Sequence, residues 1–252
     1  MTGWADLAAE LDAWTESGRR ASLWWRDDDA VAATPQLAEL LRLADEVPLA
    51  LAVIPAFAQP SLRDALADAP RAAVLQHGWQ HVDRAAGGRR SEYPAGRAAA
   101  AVAAEIAAGR DRLAALFGAR ALPVFVPPWN RFAAEFLTVL PNHGLVAVSA
   151  MASRRAPAPP NGLPPCLTCL DADLDLIDWR GDRGFIGEEA ALTALIGGLR
   201  ARRWGCAAAA RPLGLLTHHL IMDRATRTFI ARLGAAIGGH RAGHWAAIGD
   251  LL

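Results

Sequence analysis

Along the chain, short apolar runs rich in branched and aromatic side chains alternate with longer alanine- and leucine-rich stretches. The short runs are Ser22–Arg26, Pro48–Ile54, Ala73–Gln76, Pro123–Val126, Leu145–Ser149, Leu174–Asp178 and Leu213–Thr217. Continuous apolarity over so few residues predicts strands buried on both faces. Helical spacing runs through Pro35–Asp45, Pro60–Asp68, Arg97–Phe117, Arg131–Leu140, Glu188–Arg203 and Arg224–Ile237. Thr34-Pro35 reads as an N-cap followed by proline at the first helical position, where its missing N–H is not needed. Strand–helix alternation of this kind predicts a parallel sheet with helices packed outside it.

Two segments break the alternation. Ala85–Gly96, rich in glycine and arginine, is expected to be a surface loop, and Arg154–Pro165, with its Ala-Pro-Ala-Pro-Pro-Asn-Gly run, to be irregular. No internal repeat appears, and residues 1–252 are expected to form one domain. That length is ordinary for a single α/β barrel.

The polar residues with chemical potential share one kind of position. Asp27–Asp29, His77, Pro127–Trp129, Asp178 and His218 each fall at the carboxyl end of a predicted strand. In a parallel barrel those ends meet on one face, where active sites are assembled.

Composition narrows the reading. A hydrophobic content of 53% is ample for one large core, and the formal net charge is zero. Neutrality argues against a nucleic-acid partner or an acidic membrane surface, both of which attract basic proteins. Every basic side chain is arginine, a bias with no functional message. No stretch approaches the roughly 18 apolar residues of a membrane span. Met1–Ala21 carries charges throughout and does not read as a secretory signal. Cys166, Cys169 and Cys206 make no disulfide framework. An odd count suits a reducing compartment, so the expected location is the cytoplasm.

The candidate chemistry begins with Arg26-Asp27-Asp28-Asp29 after the apolar Leu23-Trp24-Trp25. Three adjacent carboxylates repel one another unless they are solvated or held by a cation. The bland alternative is a solvated turn that caps the next helix. In Gln76-His77-Gly78-Trp79-Gln80-His81, two imidazoles four residues apart would face the same way on a helical turn and share a metal. On its own that spacing is a weak signal. Two histidines, one carboxylate and an open position make a catalytic metal site, and a spare carboxylate beside it can act as base.

Pro127-Pro128-Trp129-Asn130-Arg131 is a rigid loop in which Trp129 either walls a substrate or fills the core. Asp178 with His218 suits an oriented acid/base histidine, though Asp178 also reads as a surface cap. His218 and His219 would point to opposite faces of a continuing strand. Cys166-Leu-Thr-Cys169 has zinc-ribbon spacing but no second pair, and is expected to be incidental.

In this order the segments resemble the polysaccharide deacetylases of the NodB-homology type, carbohydrate esterase family four. The matching pieces are Asp28-Asp29, His77 to His81, Pro128-Trp129, Asp178-Trp179 and Leu216-Thr217-His218, over about residues 22–220. The resemblance implies a distorted (β/α) barrel with about seven parallel strands. It implies a metal-dependent deacetylase with a divalent metal, zinc, on Asp29, His77 and His81. Asp28 would be the base, and His218, oriented by Asp178, the acid. Trp79, Pro128, Trp129 and Arg131 would contact substrate. Asp27 as base with Asp28 as ligand is the alternative register.

One departure is the arginine that holds the base in the family's third motif, whose place is taken here by Val126. Arg26, Arg131 and Arg180 are the candidates to replace it. The expected activity is removal of an acetyl group, N-acetyl first, from a saccharide. A hydrolase for another amide or ester, and a catalytically silent saccharide-binding relative, are the alternatives. Zinc, cobalt, nickel and iron all suit His/Asp ligation, and the oligomeric state is left open.

Overall fold

The computed structural model of the chain describes residues 1–152, 163–205 and 211–252. Most of the proline-rich stretch expected to be irregular, and Cys206, lie outside the described residues.

An opening helix α1 (Trp4–Glu16) precedes strand β1 (Ala21–Ala30). Then follow α2 (Pro35–Leu43), β2 (Leu49–Val53), α3 (Pro60–Ala65), β3 (Ala72–His77), α4 (Ala99–Phe117) and β4 (Ala121–Val126). Short elements come next: α5 (Val139–Asn142), β5 (Ala147–Val148), β6 (Thr168–Cys169) and β7 (Leu174–Asp175). The chain ends through α6 (Glu188–Arg203), β8 (Leu213–Thr217), α7 (Arg224–Gly238) and β9 (Gly243–Trp245).

Local chemistry explains several boundaries. Thr34 Oγ1 accepts the Leu37 N–H at 3.0 Å with Pro35 at the first helical position, as expected. Asp223 does the same for α7 through the Thr226 N–H at 2.7 Å. α4 buries Val102, Ile106, Gly109, Leu113 and Phe117 along one stripe and stops at Gly118, whose φ of +56° only glycine adopts readily.

The strands order as β6-β5-β4-β3-β2-β1-β8-β7, every neighbouring pair parallel. β6 and β7 sit at opposite ends of this order, yet only Leu170–Asp173 separates them. Ala172 donates its N–H to Ala150 beyond β5, and Asp173 donates to Gly214 of β8. One bent segment thus joins the two edges and curls the sheet into a barrel. Counted as a single stave, that segment leaves seven staves.

Faces alternate along β1. Leu23 and Trp25 point outward into the large core shared with the helices, whereas Trp24 points into the barrel among Ala50, Ala52, Leu75, Val124 and Val126. Small alanines make room for that indole. β9 pairs with the start of β1, and Ala246 and Ile248 just beyond it plug the barrel's amino-terminal end against Trp24. The opposite end is left for the polar residues. Among the described residues, no helix is long and apolar enough to cross a membrane.

Two expectations are corrected here. Arg131–Leu140 is not a helix: residues 132 and 133 run extended beside Tyr93, and Ala133 N–H donates to Tyr93 C=O. Packing of Phe132 among Tyr93, Phe125 and Phe136 outweighs helix propensity there. The Ala85–Gly96 segment is exposed only in part, since Ser91, Glu92 and Tyr93 are buried. α1, β6 and β9 were not foreseen.

Candidate active site

At the carboxyl end of the barrel, three sequence-predicted ligands converge. Asp29 Oδ1 lies 3.2 Å from His77 Nε2 and 3.4 Å from His81 Nε2, and the three ligand atoms lie within 4.8 Å of one another. Each arrives by a local departure from regular structure. In an undistorted strand Asp28 and Asp29 would face opposite sides. The pairing of β1 with β2 shifts register between Asp27 and Ala30, and Asp29 adopts φ +77°. This bulge turns Asp29 back toward the site that Asp28 already faces.

His77 ends β3, and its Nδ1 bonds the Val126 carbonyl at 3.0 Å, which leaves Nε2 for the site. His81 reaches the same point by a tight loop with φ +58° at Gly78 and +56° at His81. The helical turn expected from the spacing is absent. The imidazoles meet, centroids 5.0 Å apart, because the loop folds back on itself.

The charges of this group are coupled. Burial opposes ionisation of Asp29, but His77 and His81 hold its carboxyl well below the usual carboxylate range. Burial likewise disfavours a charged His77, yet the Asp29 hydrogen bond raises that imidazole above its ordinary value. Burial and then the His77 charge push His81 down. Two imidazole nitrogens and one carboxylate oxygen, aimed at a common point and short of positive charge, are the donor set of a divalent cation such as zinc.

The three aspartates take three different environments. Asp27 faces outward and is spent: Thr217 Oγ1 donates to it at 2.6 Å, and His219 Nδ1 pairs with its other oxygen. Asp28 faces inward, almost fully buried, against a guanidinium. Arg26 Nε lies 2.9 Å from Asp28 Oδ1, and Arg26 Nη2 donates to Oδ2 at 3.1 Å. Arg26 has no exposed surface and is held by the Ser149 carbonyl and hydroxyl and by Asn130 Oδ1 at 2.8 Å. Of the arginines named as candidates, Arg26 is the one that pairs with Asp28. Arg131 instead ties two loops together through the Arg90 carbonyl.

The predicted partner of His218 is not where it was expected. Asp178 is exposed, and its carboxylate caps its own turn through the Arg180 and Gly181 N–H groups. A nearer carboxylate is Asp175, held by Trp179 Nε1 at 2.7 Å and the Ile177 N–H, and linked to His218 through the Trp179 ring. Burial pushes the Asp175 carboxyl up, with His218 pulling the other way. Trp179 packs edge-on against the His218 ring at 4.8 Å, and His218 Nδ1 is buried without a hydrogen-bond partner.

Trp129, at φ +53°, lays its ring 4.3 Å from His81, beside buried Pro128. Trp79 is half-buried, and its backbone accepts from Ala56 and donates to Glu92. Sequence reasoning missed Glu92, Asn130, Ser149 and Asp175. Only Asp175 had a signal, its four-residue spacing from Trp179.

No family profile and no curated protein matches the chain. Solved structures do. A family 4 carbohydrate esterase from Streptomyces lividans, in complex with acetate, is 18% identical over 90% of this chain and 91% of its own, with a TM-score of 0.54. The peptidoglycan deacetylase PdaC from Bacillus subtilis, mutant D285S, is 13% identical over 92% and 90%, with a TM-score of 0.55. A family 4 acetyl xylan esterase from Clostridium thermocellum, in complex with a cobalt ion, is 11% identical over 91% and 89%, with a TM-score of 0.53. At such identities the likeness is one of fold, and it agrees with the resemblance carried by the motifs.

Proposed function

We propose that this chain is a metal-dependent deacetylase that removes an acetyl group, N-acetyl first, from a saccharide. One observation carries the reading: Asp29, His77 and His81 converge beside a buried, arginine-held Asp28. Asp29 Oδ1, His77 Nε2 and His81 Nε2 would hold a divalent metal, zinc in this reading. Bound there, such an ion polarises the acetyl carbonyl and makes water a better nucleophile.

The rest falls to the chain's own residues. Asp28 takes the proton from the attacking water. Arg26 fixes the Asp28 carboxylate in one orientation through its two-point ion pair, so that little reorganisation is needed when the proton moves. His218, braced by the Trp179 ring that Asp175 in turn holds, delivers a proton to the departing nitrogen. An amide requires that proton because an amine anion is a very poor leaving group. Trp129 and Pro128 form the wall on which a sugar ring stacks. Valine at position 126 was the best support for a silent relative, and the Arg26–Asp28 ion pair weighs against that reading.

The test is acetate release from N- and O-acetylated sugars by zinc- or cobalt-loaded protein, with Asp28→Asn alongside. The variant is expected to keep the metal and lose about 100-fold or more of turnover, the usual worth of a general base. Undiminished turnover in Asp28→Asn would remove Asp28 from the mechanism. Loaded protein inert on every acetylated sugar would reject the substrate class.

A further inference from the structure

We propose that Glu92 is a positioning residue for the metal-ligand loop: its buried carboxylate gathers the backbone N–H groups of that loop and so sets where the His81 imidazole stands. The inference rests on the metal-site reading above and adds a residue outside every motif that suggested it.

The loop from Gly78 to His81 needs outside support. It leaves the sheet at His77, returns a second imidazole to the same point, and takes positive φ at Gly78 and at His81. Outside glycine such backbone is uncommon and persists where surrounding structure enforces it. Glu92 supplies that enforcement. It has no exposed surface; Oε1 accepts the Gln80 N–H at 2.7 Å and Oε2 the Trp79 N–H at 3.2 Å. Successive backbone N–H groups around one anion form a nest. Here the protein fills the nest with its own side chain, and the two donors are the residues that lead directly into the metal ligand His81.

Gly78 matches this arrangement on separate grounds. A Cβ at residue 78 would stand 2.2 Å from Glu92 Oε2 and 2.5 Å from Pro128 Cγ. The carboxylate therefore occupies the space that any side chain at 78 would need. Glu92 is itself firmly mounted. Its carbonyl accepts Arg97 Nη1 at 3.0 Å, and the adjoining Tyr93 is fully buried with its ring edge-on to Phe125 and Phe132. A carboxylate that grips a ligand's loop from a rigid base acts as outer-shell partners do. Their loss typically lowers metal affinity roughly 10–100-fold.

The experiment measures cobalt and zinc affinity by calorimetry, with the cobalt absorption spectrum and the metal-free Tm, for wild type, Glu92→Gln and Glu92→Ala. Glu92→Gln keeps the volume but turns an NH2 toward backbone donors. We expect both variants to bind cobalt and zinc about 10- to 100-fold more weakly, with an altered cobalt spectrum. A variant with a lowered metal-free Tm but wild-type affinity and spectrum would reduce Glu92 to packing and overturn the proposal. Should neither variant fold, amide exchange in the wild type decides. Protected Trp79 and Gln80 amides support the proposal, and exchange at the rate of an open loop overturns it. Wild-type protein that binds neither metal would overturn the function reading itself, and this role with it.

Discussion

Asp175 ends β7 and Asp178 lies three residues on in the turn that follows, and their surroundings separate their roles. Asp178 spends Oδ1 on two N–H groups of its own turn, while Asp175 is held by the Trp179 indole that packs against His218. Asp175→Asn is therefore expected to lower kcat for an N-acetyl substrate by ten-fold or more. An O-acetyl substrate, whose leaving group needs the acid less, should suffer less. Asp178→Asn should leave kcat within about two-fold. Parallel assays on paired amide and ester substrates check this, and equal effects of the two variants would return His218 to an unassigned partner. The same contrast runs through Asp27, Asp28 and Asp29. Their order in sequence leaves two registers open. Their contacts favour one, since the Asp27 carboxylate is already taken by Thr217 and His219.

At the scale of elements, α1 is fastened to α6 by one carboxylate. Glu10, almost fully buried, pairs with Arg203 at 2.8 Å and Arg200 at 3.2 Å. Burial alone would push this carboxyl up, but hydrogen bonds from Arg203 and Arg200 more than offset it and hold Glu10 below its ordinary value of 4.5. A carboxyl lowered in the folded state contributes stability that is present above its unfolded value and lost as pH falls through the folded one. Glu10→Gln should thus melt below wild type at pH 7, with the gap closing as pH drops below about 4. Melting curves across that range check it, and a constant gap would mean that packing rather than charge fastens the helix. α1 escaped the pattern reading because its apolar positions, Leu7, Leu11 and Trp14, are spaced among many alanines and charges. The Arg131–Leu140 stretch failed for the opposite reason. Its helical pattern is real, but aromatic packing around Tyr93 pulls the chain into an extended path.

For the whole molecule, the ligands come from β1 and from the end of β3, with His218 and Asp175 from β8 and β7. A cation bound among them joins distant parts of the barrel and exists only when the chain is folded. Ligand binding to the native state alone stabilises by about 2.7 kcal/mol at 100 times Kd. For a chain of this size that corresponds to a rise of roughly 5–10 °C in Tm. Thermal melts with zinc and after chelation should differ by that amount. Identical curves would argue that the three ligands close on no ion.

How much of this was legible follows from range. Strand and helix placement depends on neighbours a few residues away, so seven strands, the Thr34 cap and a parallel sheet could be read from periodicity, while the distorted barrel came from the family resemblance. That Asp28, Asp29, His77 and His218 lie at one end of the barrel was legible because strand ends in a parallel barrel share a face, and His81 was named from its spacing to His77. The rest depends on meetings between residues far apart in the chain. Arg26 could be named among three candidates, but only the tertiary structure brings Ser149 and Asn130 onto its guanidinium. The backbone reversals at Asp29, Gly78 and Trp129 leave no periodic trace, because each is a local conformation held in place by distant packing. Glu92 lies in a loop whose composition spoke for solvent. A charged side chain is buried where backbone donors await it, and only folding sets them there.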